Sequence, residues 1–323
     1  MSARPGLARG QAALRHLELT ITRRLDGLLQ GDHQGLVPGS GSEPAEGRVY
    51  QPGDDVRRMD WNLTARTTVA HVRETIADRE LETWVVVDQS ASLDFGTAAC
   101  EKRDLALAAT AAVGFLTARA GNRLGALLLR PNGLVTVPPR SGRDAVMALL
   151  QRLATTPRAS TPHTPRRSTA TATRESAPDL SRALRAVGPL ARRRGLVVVI
   201  SDFLDPEGWE RPLRSVRGRH EVLAVEVLDP RELELPAVGL LTLVDAETGR
   251  RVEVQTARNK VRRAYAEAAS GQRAEIARAL RGAAVPHLTL RTDRDWLLDI
   301  VRFVATRRRL RTGLVTPPRA VRA

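Results

Sequence analysis

Three oxygen-bearing side chains at alternate positions, Asp88, Ser90 and Ser92, follow directly on the apolar run Trp84-Val85-Val86-Val87. One carboxylate with two hydroxyls is a hard-oxygen set suited to Mg²⁺, an ion that takes one or two carboxylates and keeps several of its waters. A second apolar run, Leu196-Val197-Val198-Val199-Ile200, ends in Ser201-Asp202-Phe203 and repeats the design. A lone strand with an Asp/Ser turn is common in α/β proteins, because both residues hydrogen-bond their own backbone in turns. Its recurrence is what gives the pattern weight. No His or Lys is placed as an obvious general base, and the six histidines (His16, His33, His71, His163, His220, His287) are scattered and read as surface or packing residues. There is no phosphate-cradling Gly-rich loop, and Ser90 lacks the Gly-x-Ser-x-Gly surroundings of a hydrolase nucleophile.

Oxygen ligands at the ends of two strands need a sheet to bring them together. Trp84 to Val87 are four apolar residues in a row, three of them β-branched, which is how a strand buried on both faces of a parallel sheet reads. In open α/β sheets ligands sit in the crevice outside the carboxyl ends of the strands. From about residue 80 to 309 helical and strand patterns alternate. Helices are predicted over 102–120, 143–154, 180–193 (capped by Asp179 or Ser181), 209–216, 259–281 and 296–309. Strands are predicted over 82–88, 196–200, 220–228 and 286–290, with one hairpin over 124–129 and 134–137 that Pro138-Pro139 closes. A second hairpin is formed by 241–245 and 251–254 around Glu247-Thr248-Gly249. The expected fold is α/β, a doubly wound, mostly parallel sheet of Rossmann-like type with helices on both faces.

The domain plan follows the composition. Residues 1–38 hold an amphipathic helix, over 12–30, and a linker; residues 39–79 form a small β-rich module; residues 80–310 form the α/β domain, with a flexible loop at 155–175 and a β insertion at 229–256; residues 311–323 are a disordered tail. Of 323 residues, 51 are Lys or Arg against 36 Asp or Glu, for a net charge of +15 carried almost entirely by Arg. Such a balance attracts nucleic acid, an anionic membrane surface or an acidic protein. The positive charge is spread along the chain without the interleaved aromatics that base stacking needs, so it reads as compositional bias and no specific nucleic acid partner is expected. A single cysteine, Cys100, excludes an intrachain disulfide and points to a reducing cytosol. No run has the length of a membrane span, and the N-terminus lacks the apolar core of a signal peptide, so a cytoplasmic protein with no membrane span is expected.

The other dense stretch is Gly47 to Asn62, where a Pro52-Gly53 turn is surrounded by Asp54, Asp55, Asp60, three arginines and the aromatics Tyr50 and Trp61. Its charge density and short spacing predict an organised Arg–carboxylate network, followed by a strand-like 69–74. The sequence Tyr50-Gln51-Pro52-Gly53-Asp54-Asp55-Val56-Arg57-Arg58-Met59-Asp60-Trp61-Asn62, then Ala65-Arg66, resembles the signature of the bacterial family called domain of unknown function 58. The strand ends at Asp88 and Asp202 look like those of that family and of the von Willebrand factor A domain, with its metal-ion-dependent adhesion site; the likeness spans roughly residues 40–230. The resemblance implies a metal set of Asp88, Ser90, Ser92 and Asp202 holding Mg²⁺ or Mn²⁺. Pro178 falls where the family has a third-loop Thr, and Ser176 is the nearest substitute hydroxyl. It also implies an interaction signature of Tyr50, Gly53, Asp54, Arg57, Asp60, Trp61 and Arg66. The expected role is a non-enzymatic adaptor that works with a MoxR-type AAA+ ATPase, its metal completed by an acidic residue of a client or partner protein. Two alternatives stand beside it. One is an A-like scaffold without metal, in which Asp88 and Ser201-Asp202 merely cap turns; the weaker is a Mg²⁺-dependent hydrolase acting on nucleic acid.

Overall fold

The computed structural model describes residues 13–24, 48–50, 59, 61–72, 81–158, 179–205, 208–246 and 250–311. Helix α1 covers 13–24. A two-stranded antiparallel ribbon, β1 (Arg48–Val49) with β2 (His71–Val72), brackets α2 (Trp61–Thr67). The main unit then runs β3 (Glu82–Asp88), α3 (Lys102–Arg119), β4 (Arg123–Arg130), β5 (Gly133–Arg140), α4 (Arg143–Ala154), α5 (Leu180–Leu190), β6 (Leu196–Ser201), α6 (Glu210–Arg219) and β7 (Glu221–Leu228). A hairpin of β8 (Leu240–Val244) and β9 (Arg251–Gln255), helix α7 (Asn259–Gly282), β10 (His287–Arg291) and α8 (Trp296–Arg311) complete it. Among the described residues no helix is long and apolar enough to cross a membrane.

Six strands form the central sheet in the order β10-β7-β6-β3-β4-β5, parallel throughout except for β5. The chain starts in the middle with β3, fills outward through β4 and β5, then returns to the other side of β3 and fills outward again through β6, β7 and β10. That reversal puts the topological switch point between β3 and β6, where a crevice opens at the carboxyl edge.

Alternation along the strands explains the two faces. Val85 and Val87 of β3 pack with α3, α4 and α8 in one apolar cluster that also takes Leu14 and Ile21 of α1. Trp84 and Val86 point the other way, into a cluster with Leu184, Leu213 and Leu280 of α5, α6 and α7. All seven residues of β3 are buried, as a central strand covered by helices on both sides requires. The mixed α/β fold with a mostly parallel sheet is therefore as expected. The first hairpin is not. Pro138-Pro139 does not close it; the turn is at Pro131-Asn132, and β5 continues through both prolines to Arg140. Prolines are tolerated there because β5 is the outermost strand and its register against β4 breaks at this point, Arg140 pairing with Leu124 and Val137 with Ala126, so that the two missing amides fall at a bulge on an edge. The predicted helix over 180–193 also stops early, at Leu190, beyond Pro189.

Candidate functional site

Asp88 is the last residue of β3, and Ser201 the last of its neighbour β6. Their side chains meet across the switch point, where Ser201 Oγ donates to Asp88 Oδ2 at 2.7 Å. The other oxygen, Oδ1, accepts the Ser90 backbone N–H at 2.9 Å and so fixes the turn that follows. Ser90 and Ser92 lie with their hydroxyls 3.1 Å apart, and Ser92 also hydrogen-bonds the Asp202 carboxylate. Asp202, one residue past β6, accepts the Leu204 N–H at 3.2 Å, and Ser201 Oγ accepts the Phe203 N–H at 3.1 Å. Phe203 itself sits at φ 56°, a conformation costly for a bulky residue, held by burial and by an edge contact with Trp209 at 5.1 Å between ring centroids. The turn-capping bonds of a plain scaffold are thus present, and they leave the two buried carboxylates close enough for the charge of Asp202 to act on Asp88.

The electrostatics of the two acids differ. Asp88 is 6% exposed; its burial, and then the charge of Asp202, push its carboxyl up to about 6 despite the bonds from Ser201 and Ser90. Asp202 is as deeply buried, which alone would raise it as well, but the ammonium of Lys102 holds it below the usual carboxylate range. Lys102 Nζ donates to Asp202 Oδ2 at 2.8 Å and to Glu232 Oε1 at 2.6 Å. Burial works against that ammonium, yet Asp202 and Glu232 outweigh it and keep Lys102 above the ordinary lysine value. Arg273 of α7 continues the chain of charges, reaching the Asp202 carbonyl at 2.9 Å, Glu226 Oε1 at 3.0 Å and Glu232 Oε2 at 3.4 Å. Glu226 ends this chain against His287 and Thr289 of β10.

A cavity of about 120 Å³ opens beside Asp88 on the α3 and α4 side, lined by Asp94, Arg103 and Leu153 among others. Arg103 bonds Asp94 at 2.7 Å and the Thr156 carbonyl at 2.8 Å, so this wall is itself charge-balanced. Among the described residues no three His, Cys, Asp or Glu side chains surround one metal position. The donor set for a hard cation consists of two carboxylates and the serine hydroxyls.

Asp88, Ser90, Ser92 and Asp202 are therefore brought together, with Ser201 as a fifth oxygen. Ser176 and Pro178 lie outside the described residues, as do Gly53, Asp54, Arg57 and Asp60. Of the remaining signature residues, Tyr50 is half-buried with its N–H on the Ala70 carbonyl, Trp61 is 67% exposed at the start of α2, and Arg66 is exposed in its last turn. Sequence reasoning gave Lys102, Glu226, Glu232 and Arg273 no role. Lys102 had one usable signal: it is one of two lysines, with Lys260, in a chain that otherwise uses arginine.

A family model described as "Protein of unknown function DUF58" matches residues 46–275. An uncharacterized protein of Mycobacterium tuberculosis is 57% identical over 300 residues, 92% of this chain and 90% of that one. An uncharacterized protein of Mycobacterium avium is 49% identical over 176 residues, 54% of this chain and 96% of that one. Among solved structures, the chain is similar to the conserved hypothetical protein BatB from Bacteroides thetaiotaomicron at 12% identity and a TM-score of 0.40, covering 72% of this chain and 99% of that one. It is also similar to an aerotolerance-related membrane protein from Bacteroides fragilis at 14% identity and a TM-score of 0.42, covering 70% and 97%.

Proposed function

The chain belongs to the DUF58 family, and from that premise we propose that it is a non-enzymatic interaction module of von Willebrand factor A type. It works in the cytoplasm as an adaptor for a MoxR-type AAA+ ATPase and docks an acidic residue of a partner at the carboxyl edge of its sheet. The observation that carries this reading is the convergence of Asp88 and Asp202, with the hydroxyls of Ser90, Ser92 and Ser201, at the switch point of the sheet. The strand order supports it too, since ligands of open α/β sheets bind at this position.

The residues present fit a hard divalent cation. Among the described residues no cation pairs with Asp88, and its raised pKa is the signature of a buried carboxylate that would ionise more readily beside positive charge. Asp88, Ser90, Ser92 and Asp202 would hold Mg²⁺ or Mn²⁺, and the ion would supply an electrophilic position for the partner's carboxylate. The chain's own part is to aim the donors: β3 and β6 fix the two strand ends, and the Ser90 N–H and Ser201 hydroxyl orient Asp88 before any ligand arrives.

Binding to a purified MoxR-type AAA+ ATPase, without nucleotide so that its own Mg²⁺–ATP plays no part, tests the proposal. Affinity is expected to fall about tenfold or more, roughly 1.4 kcal/mol or above, when EDTA replaces Mg²⁺ or when Asp88→Ala replaces the wild type. Equal binding by the variant in EDTA and the wild type in Mg²⁺ would remove the metal; no binding under any condition would remove the partnership.

A further inference from the structure

Lys102 opens α3 with a fully buried side chain, 0% exposed. Taking a charge out of water is expensive unless good partners surround it, and two carboxylates meet this one at 2.8 and 2.6 Å. Seen from Asp202, the arrangement leaves little to spare. Its Oδ2 accepts from Lys102, its Oδ1 from the Leu204 N–H, and Ser92 hydrogen-bonds the carboxylate as well. Glu232 is tied on both sides, by Lys102 through Oε1 and through Oε2 by the Asp229 N–H at 3.0 Å and Arg273 at 3.4 Å. Asp88, close enough to feel the charge of Asp202, bonds among the described residues the neutral donors Ser90 N–H and Ser201 Oγ. The cluster thus has one acid already neutralised from within and one acid that is not.

We propose that Lys102 is the resident cation of this site: by holding Asp202 in an internal ion pair it sets the affinity with which Asp88, Ser90 and Ser92 take a divalent cation. This rests on the metal-assisted reading above and adds its regulation. A divalent ion at Asp88 must either share Asp202 with the ammonium or do without it, and an ammonium one carboxylate away repels the incoming charge in a medium that screens poorly. Asp202 is neutralised without a metal, which makes occupancy at Asp88 conditional on ion concentration or on a partner carboxylate. A merely structural ion pair makes a different prediction, because removing it would not strengthen metal binding.

Calorimetric titration with Mg²⁺ and with Mn²⁺ alone tests this on the full chain. Lys102→Met is expected to bind about tenfold or more tightly than the wild type, since the repulsion goes and Asp202 is freed. Because that variant leaves two buried carboxylates without their ammonium, Lys102→Met combined with Glu232→Gln, which keeps the charge balance, should show the same gain. Unchanged or weaker binding in the folded variants overturns the proposal. The wild type gives an independent readout: with only two lysines, lysine-selective NMR labelling yields one signal for Lys102 and one for Lys260. Bound Mg²⁺ should shift the first and leave the second, and an unmoved Lys102 signal in the Mg²⁺-bound protein overturns the proposal. If the variants bind metal and the wild type does not, the role of Lys102 stands and metal-assisted docking by the native chain falls. If the wild type binds and the variants gain nothing, the reverse holds; if none binds, both fall.

Discussion

Asp88 accepts from Ser201 and Ser90, is buried at the end of β3, and lies close enough to Asp202 to feel its charge. Its pKa of about 6, against an ordinary 3.8, means that the folded protein holds the Asp88 proton more tightly than the unfolded chain does. Stability from this group is therefore greatest below about pH 4, falls as pH rises through the window between the two values, and is flat above about 6. The effect at neutral pH is a standing cost, released when a cation arrives. Asp88→Asn removes the charge at constant shape. Its amide oxygen can still accept the Ser90 N–H, and its NH₂ can donate to Ser201 Oγ, which already serves as an acceptor for Phe203. Thermal melts without metal should place the variant a few degrees above the wild type at pH 8 and level with it at pH 4. A Tm below wild type at pH 8 would mean that Asp88 is not the strained member of the pair. Trading stability for a poised site is a familiar pattern. At this scale the sequence was half legible. Asp88, Ser90, Ser92 and Asp202 stand out by type and position, whereas Lys102 reads as an ordinary surface residue at a helix start. Its partners lie 100 and 130 residues away, and only the folded sheet puts them beside it.

Elements were more legible than residues, for a physical reason. β3 and β6 are buried on both faces, so Trp84 to Val87 and Leu196 to Ile200 are unbroken apolar runs and announce them. β5 is an edge strand with alternating exposure, and its Pro138-Pro139 looks like a terminator unless the sheet order is known. Those prolines also deny a second chain a full ladder of amides to pair with. The junction that holds the site open is subtler. At Gly195, just before β6, an added Cβ would lie 2.0 Å from the Glu82 carbonyl oxygen of β3, an overlap with backbone that no rotamer relieves. Gly195→Ala should therefore push apart the two strands that deliver Asp88 and Asp202, costing about 3 kcal/mol in urea unfolding. Gly188→Ala, inside α5 with nothing near its Cβ, is the control and should be neutral or slightly stabilising. Equal stability of the two variants would show that β3 and β6 have slack at their amino ends. Arg273 supplies the matching tie at the carboxyl end, since it joins α7 to Glu226 and to the Asp202 carbonyl. Arg273→Ala takes the guanidinium from buried Glu226 and leaves it, among the described residues, the side chains of His287 and Thr289, so it should lower stability by about 3 kcal/mol.

Taken whole, the molecule keeps a paired, mixed-charge cluster at the carboxyl edge of its sheet and an exposed run of arginines at the amino edge. Asp88, Asp202, Glu226, Asp229 and Glu232 gather at or just past the carboxyl ends of β3, β6 and β7. At the amino ends arginines lie beside Glu82 and Glu221, the first residues of β3 and β7: Arg192, Arg193 and Arg194 precede β6, and Arg217 and Arg219 close α6 before β7. The first three are exposed and form no ion pair with another described residue. A strand of six residues spans roughly 20 Å, about two Debye lengths at physiological salt, so the two edges act independently. The net charge of +15 and the run Arg192-Arg193-Arg194 were legible in the sequence, but not the run's place in the fold, because only the parallel topology shows which edge of the sheet the start of β6 shares. The consequence can be separated from the carboxyl-edge site by experiment. Without exposed aromatics among them, these arginines offer long-range attraction to any polyanion and no base reading. The protein should bind heparin at low ionic strength and release it as salt rises, and replacing Arg192, Arg193 and Arg194 together with Ala should move elution to clearly lower salt. The same triple variant should leave Mg²⁺ binding at Asp88 unchanged, whereas Asp88→Asn should lose the metal and keep the heparin profile. A triple variant that lost its metal would mean that the two edges are coupled through the sheet, and an unshifted elution would mean that the positive charge acts from some other part of the chain.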